Sequence, residues 1–228
     1  MDNEQNQEFT LEEPEQELQI EQPLPEEEVI EKQNKDDETS VGFELYTLLH
    51  DLVYILGFVT ILFVFAIRLV GVSGSSMYPT LNNRDFLILL SNVFYSEPEH
   101  GDIVVLTVPA FETEPIVKRV IATEGQTVDI DFEAGEVYVD GVLQEEPYIN
   151  EPTHRDYELG LEYPAVVPEG CIFVLGDNRN NSTDSRYAPV GMVDKRYVLG
   201  KVLFLIFPGA DEATQQRDFS RIGTVSGN

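Results

Sequence analysis

Three short stretches of this chain carry residue types that could perform covalent chemistry. The first is GVSGSSMYPTL, residues 71–81. Two glycines, three serines and a proline make a turn in which a hydroxyl can stand beside closely approaching backbone N–H groups. Acyl transfer needs that combination: a nucleophilic oxygen, and donors for the oxyanion that forms on the attacked carbonyl. Taken alone, the same stretch reads more readily as a Gly/Ser linker leaving the membrane.

The second is PIVKRVI, residues 115–121. In a strand, Ile116, Lys118 and Val120 share one face, while Val117, Arg119 and Ile121 share the other. One of the two cations can then point inward. Lysine is the one that can act as a base, because burial lowers a lysine pKa by up to ~3–5 units whereas arginine stays protonated. An edge strand with both cations in water is the alternative. The third stretch, GDNRNNSTDSR, residues 176–186, is dense in Asn, Asp and Ser and suits a hydrogen-bonded loop. Asp184 and Arg186 are close enough to pair, and Ser182 could bond a buried amine; an exposed loop with a solvated ion pair is the alternative.

In combination the three are far more specific than any one. SGSSMYPTL, GDIVV (101–105), VKRVIA (117–122) and GDNRNNSTDSR resemble, in order, the successive boxes of type I signal peptidases, Gram-positive-like short form. An apolar segment precedes them and SRIG (220–223) follows, so the resemblance covers residues 45–223. It implies a mostly β, signal-peptidase-like antiparallel catalytic domain behind one transmembrane helix, and a Ser/Lys dyad that needs no cofactor and no metal. Ser76, directly before Met77-Tyr78-Pro79, is the implied nucleophile rather than Ser75, and Lys118 the implied base. Ser182 would orient the amine, with Asp184 and Arg186 supporting it. Gly74 stands where some relatives carry a hydroxyl donor, so the oxyanion hole would rest on backbone N–H groups, that of Ser76 included. Asn180 stands where relatives often have Asp, a departure expected to be tolerated. An extended substrate would add as a strand beside residues 72–74 and 115–118, with Met77, Leu81, Ile116 and Val117 lining apolar pockets. The implied substrates are signal peptides of exported preproteins, with the export machinery a possible contact.

The elements that must position these residues are readable from pattern. Runs at 85–94, 102–108, 116–123, 127–132, 136–144, 171–177 and 197–207 are rich in β-branched and aromatic residues and are punctuated by Gly, Pro, Asn or Asp. Asp140-Gly141 between apolar pairs predicts a hairpin. No long helical period appears beyond residue 72, so an antiparallel β domain is expected over 72–210, with a polar end at 211–228 on which Phe219 and Ile222 could dock. Before it, residues 52–67 hold sixteen consecutive uncharged residues, and with its flanks the segment 44–71 is long enough to span a bilayer. A cleavable signal fits poorly, since the run starts beyond residue 40, follows acidic sequence and leads to no small-x-small site.

Charge bounds the partners. The chain has 42 acidic and 14 basic residues, net −28, and residues 1–44 alone hold 16 acidic residues against Lys32 and Lys35. That balance excludes nucleic acid as a partner. Residues 1–43 are expected to be a disordered acidic tail on the cytoplasmic side, since they offer too little apolar surface to offset chain entropy. The Lys and Arg count around the segment is balanced, so only the resemblance orients it, placing the catalytic part outside the cytoplasm. His50, His100 and His154 lie outside the motifs, no Cys/His spacing suggests a metal, and the single Cys171 can form no internal disulfide. Two other classes stay in view. A catalytically silent assembly chaperone of the same fold should lack the serine or the lysine, and both are present. A self-cleaving regulator should carry a DNA-binding helical domain where this chain has an apolar segment.

Overall fold

The computed structural model describes residues 26–109, 114–211 and 214–225, with side chains from residue 41 onward. The chain divides into two units, Met1–Ile55 and Leu56–Asn228. Helix α1, Glu26–Ala66, starts in the first and ends in the second. Its stretch Val41–Ala66 is 26 residues, exposed up to Phe65, and an 18-residue run within it has a mean hydropathy of 2.2, which by length and composition suffices to cross a membrane. The expected tail, 1–43, falls partly outside the described residues, and the helix begins well before residue 44.

The helix also ends earlier than expected. Residues 67–71, assigned from sequence to the apolar span, form strand β1, Ile67–Gly71, which pairs antiparallel with β2, Phe86–Ser91. Two causes are visible. The β2 backbone offers a full ladder from Ile67↔Leu90 to Gly71↔Phe86, and Val70 packs on the core formed by Val72, Met77 and Leu81.

The second unit is built on two antiparallel sheets. Its remaining strands are β3 (Ile103–Leu106), β4 (Ile116–Thr123), β5 (Thr127–Asp131), β6 (Glu136–Val139), β7 (Val142–Leu143), β8 (Ala165–Val166), β9 (Cys171–Leu175), β10 (Val193–Asp194), β11 (Val198–Phe207) and β12 (Gly223–Thr224). The larger sheet runs β1-β2-β11-β3-β4-β9-β10, with β12 on β11; the smaller runs β7-β6-β5-β8. Every predicted strand is present, and the additional ones are short apart from β1. The predicted hairpin has Asp140 and Gly141 at φ 52° and 75°, both left-handed, as the tight turn between β6 and β7 requires. Val128, Ile130, Val137 and Val139 of the small sheet pack on Ile121, Ala122, Phe173 and Leu175 of the large one, so β4 and β9 are covered there.

That covering overturns the edge-strand alternative for β4. It lies between β3 and β9, and both of its cations are buried, Lys118 at 2% exposure and Arg119 at 0%. Sequence alternation anticipated one inward cation. The second is tolerated because the Arg119 guanidinium is fully partnered. It donates to both Asp177 oxygens at 2.8 and 2.7 Å and to the Gly101 carbonyl at 3.0 Å, and the Tyr148 ring lies 3.8 Å from its central carbon.

The C-terminal segment docks by a different route from the one anticipated. Arg221 reaches the Asp85 carboxylate at 2.7 Å and the Thr80 carbonyl at 3.2 Å, and β12 pairs with Phe204 and Leu205. Phe219 lays its edge against Phe207 but stays half exposed, and Ile222 is exposed too. A buried carboxylate needs donors more than the surface needs another apolar side chain, so the arginine makes the attachment.

The Arg119–Asp177 pair is a test of this fold. Arg119→Met leaves Asp177 buried without its guanidinium and should lower unfolding free energy by about 3–5 kcal/mol, read from the urea midpoint of residues 73–228 held in detergent with the helix. Adding Asp177→Asn to that variant should recover part of the loss; no loss in the single variant would contradict the pairing.

Candidate active site

The turn that carries Ser76 is pinned from both sides. Met77 and Leu81, at 1% and 0% exposure, anchor it in the core, and Leu81 N–H donates to the Met77 carbonyl at 2.9 Å. From across the site, Asn178 N–H donates to the Ser76 carbonyl at 3.0 Å and its side-chain amide donates to the Ser75 carbonyl at 3.0 Å. The loop 176–186 and the serine turn are therefore one structure. Gly176 is the residue that lets them approach: a Cβ there would stand 2.1 Å from Ser182 Oγ and 2.5 Å from the Ser76 carbonyl oxygen.

Strand β4 brings Lys118 to the same place. Its Nζ donates to Ser76 Oγ at 2.9 Å and to the Val117 carbonyl at 2.9 Å. Ser76 is partly exposed while Lys118 is buried, so an incoming carbonyl can reach the hydroxyl and water has little access to the amine. Gly74, at φ +93°, lies in the same turn, its N–H donating to Asn83 Oδ1 at 3.3 Å, and a Cβ on it would meet nothing within 4 Å.

Behind Ser76 and Lys118 stands a set of buried ion pairs. Asp184 accepts from Arg186 at 2.8 and 2.9 Å and from Gly176 N–H at 3.0 Å. Burial alone would raise the Asp184 carboxyl; the Arg186 guanidinium, the Gly176 N–H and the Lys118 charge override it and hold the group below the usual aspartate range. Arg186 also donates to the Arg155 and Arg179 carbonyls. Arg179, at 0% exposure, donates to both Glu146 oxygens at 2.7 and 2.6 Å, to Thr153 at 3.0 Å and to the Gly176 carbonyl at 3.0 Å. Tyr157 hydroxyl donates to the Ser182 carbonyl, and burial pushes its own pKa up.

Ser76, Lys118, Gly74, Met77, Ile116 and Val117 all line one cleft of about 440 Å³ between residues 70–77 and 114–118. Leu81 does not: it was expected beside the substrate and lies in the core instead, because the 77–81 turn points it inward to pack on Leu87 and Ile103. Ser182 also departs from expectation. It is buried, but among the described residues its Oγ has no hydrogen-bond partner, and the Lys118 amine donates to the Val117 carbonyl and to Ser76 Oγ. Asn180 uses the amide that an aspartate would lack, donating to the Pro152 carbonyl while its oxygen accepts from the His154 and Arg155 N–H groups. Sequence reasoning passed over Asn178, Arg179, Glu146 and Tyr157. Only Asn178 and Arg179 lay inside a motif that could have flagged them. Among the described residues no group of three or more His, Cys, Asp or Glu could hold a metal ion.

Comparison with known proteins places the chain. A family model described as "Signal peptidase, peptidase S26" matches residues 45–207. Signal peptidase I S of Bacillus subtilis (strain 168) is 36% identical over 144 residues, 60% of this chain and 75% of that protein. Probable signal peptidase I-1 of Synechocystis sp. is 39% identical over 148 residues, 61% of this chain and 70% of that one. A crystal structure of a signal peptidase I from Enterococcus faecalis V583 is similar at 32% identity, covering 46% of this chain and 96% of that chain with a TM-score of 0.38. The matched span contains the serine turn, β4 and the whole 176–186 loop, and over it the chain belongs to the peptidase S26 family of signal peptidases, which makes it a hydrolase.

Proposed function

We propose that this protein is a membrane-anchored serine endopeptidase that removes N-terminal signal peptides from exported preproteins, with Ser76 as nucleophile and Lys118 as general base. The single observation that carries the reading is the 2.9 Å contact between Lys118 Nζ and Ser76 Oγ, made by a buried amine to a partly exposed hydroxyl. In the proposed cycle the substrate adds beside residues 72–74 and 115–118, putting its scissile carbonyl over Ser76. The neutral Lys118 amine takes the hydroxyl proton as Oγ bonds to the carbonyl carbon. The resulting ammonium passes that proton to the leaving nitrogen as the C–N bond breaks, which leaves an ester on Ser76. Water then attacks the ester with the same amine as base. Backbone N–H groups of the 74–76 turn would meet the oxyanion, and small residues near the cut would suit a cleft lined by Met77, Ile116 and Val117.

The helix would anchor the enzyme, with the acidic N-terminal residues in the cytoplasm and the catalytic unit outside it. Length and hydropathy support the span, and family likeness supports the direction.

Cleavage of a model preprotein in detergent tests the dyad. Ser76→Ala and Lys118→Ala should each lower kcat by several orders of magnitude, Ser75→Ala should keep most of the activity, and Lys118→Arg should be inactive because a guanidinium does not give up its proton. A fully active Ser76→Ala protein, or retained activity in Lys118→Arg, would end the assignment.

Topology has its own measurement. Protease added to intact spheroplasts should digest residues 73–228 and spare the tail, and a chain lacking residues 1–40 should still insert and cleave at close to the normal rate. Digestion of the tail instead would invert the topology.

Asp184→Asn should cost about 3–5 kcal/mol near neutral pH, because Arg186 is left buried without its counter-charge. The depressed Asp184 pKa sets the sign of the pH effect. Its stabilisation is fully present above about pH 4, the ordinary aspartate value, and is lost as pH falls through the lower folded value. Denaturation series should therefore show the gap between wild type and Asp184→Asn closing in acid; a gap that widens there would contradict the pairing.

A further inference from the structure

The cleft holding Ser76 is not the only hollow that reaches the serine turn. A second, of about 290 Å³, adjoins it and shares two residues with it, Ser75 and Asn181. Its other walls include Tyr78, Asn82, Asn83 and Asp211. A peptide laid as a strand between residues 72–74 and 115–118 fills the first cleft up to Ser76. Because Ser75 and Asn181 line both hollows, a chain that continues past Ser76 on their side enters the second.

The far wall of this hollow is a built one. Asp85, at 0% exposure, accepts from Gly209 N–H at 2.6 Å, from Asn82 N–H at 2.8 Å and from Arg221 at 2.7 and 3.1 Å. Gly209 lies so close to the Asn83 carbonyl that a Cβ there would come to 2.0 Å. These contacts fasten the segment carrying Asp211 to the turn carrying Asn82 and Asn83. Asp211 itself is fixed by accepting from Thr214 N–H and hydroxyl at 2.8 and 2.9 Å. On the near side, Asn181 donates to Ser75 Oγ at 3.2 Å and Asn83 accepts from Gly74 N–H. The walls named here are amides, a hydroxyl, an aromatic ring and one carboxylate.

From this geometry we infer that the hollow is the subsite for the first residues downstream of the cut, and that Asp211 makes it select basic over acidic side chains there. The inference rests on the proposed peptidase reading and adds a specificity to it. Amide side chains can donate to and accept from an extended peptide backbone without regard to sequence. The carboxylate supplies the discrimination, because an acidic side chain brought into the same hollow meets a like charge.

The test uses full-length enzyme in detergent and two preprotein peptides identical except for the second residue after the cut, Lys in one and Glu in the other. Wild type should cleave the Lys peptide with a kcat/KM about three- to tenfold higher, the scale of a partly exposed ion pair, and the ratio should shrink toward one in 1 M salt. Asp211→Asn keeps an oxygen for Thr214 and removes the charge, so the ratio should fall to about one at low salt. Asn83→Asp keeps an acceptor for Gly74 N–H and adds a charge, so the ratio should rise. Because each readout is a ratio within one protein, a general loss of activity does not mimic the effect. Wild type that cleaves both peptides equally overturns the subsite and leaves the peptidase reading standing, whereas wild type that cleaves neither overturns both. A preference for Lys that survives Asp211→Asn and 1 M salt unchanged also overturns the inference.

Discussion

Among the described residues three guanidinium groups lie at or below 1% exposure, and the geometry of the candidate site depends on the partners they require. A buried cation without a counter-charge costs several kcal/mol, so each arginine must recruit a carboxylate and carbonyls from elsewhere in the chain. Arg119 ties β4 to Asp177, Arg179 ties the 176–186 loop to Glu146, and Arg186 ties Asp184 to the Arg155 and Arg179 carbonyls. Those ties converge on one loop. Within that loop Asn178 holds the Ser76 carbonyl through its backbone N–H and the Ser75 carbonyl through its side-chain amide, while the strand carrying Arg119 also carries Lys118. Removing one arginine would release more than a single contact, because the same loop positions both Ser76 and Lys118.

Much of this arrangement was legible in the chain before any coordinates. Strand runs rich in Val and Ile were readable because their period is local. The Ser76–Lys118 pairing was readable because family resemblance joins motifs that local patterns leave separate. What escaped reading is non-local. That Arg119 is buried follows from Tyr148 and Asp177, neither of which its strand announces. That residues 67–71 leave the helix for a strand follows from an open edge on β2, while in the sequence Leu69 and Val70 simply prolong the apolar segment beyond Arg68. Leu81 was misplaced for the opposite reason. A leucine in the same motif as the candidate serine looks like a pocket residue, and only the turn geometry sends it into the core.

The two kinds of cation divide the work of the site by their chemistry. Arginine keeps its proton and presents a planar fork, which suits a permanent, geometrically exact tie to a carboxylate. Lysine carries one nitrogen on a flexible stem and can lose a proton, which suits the proposed role of taking one from serine and returning it to a leaving group. Here Arg119, Arg179 and Arg186 all face carboxylates, and the Lys118 amine donates to a hydroxyl and a carbonyl. Exchanging the two residue types would therefore fail in both directions. An arginine at 118 would hold its charge beside Ser76 and block the transfer, and a lysine at 186 would bond Asp184 through one atom and leave the Arg155 and Arg179 carbonyls short of donors. In the proposed mechanism the adjacent positions 118 and 119 thus carry cations of unlike purpose, one to move a proton and one to hold the strand that presents it.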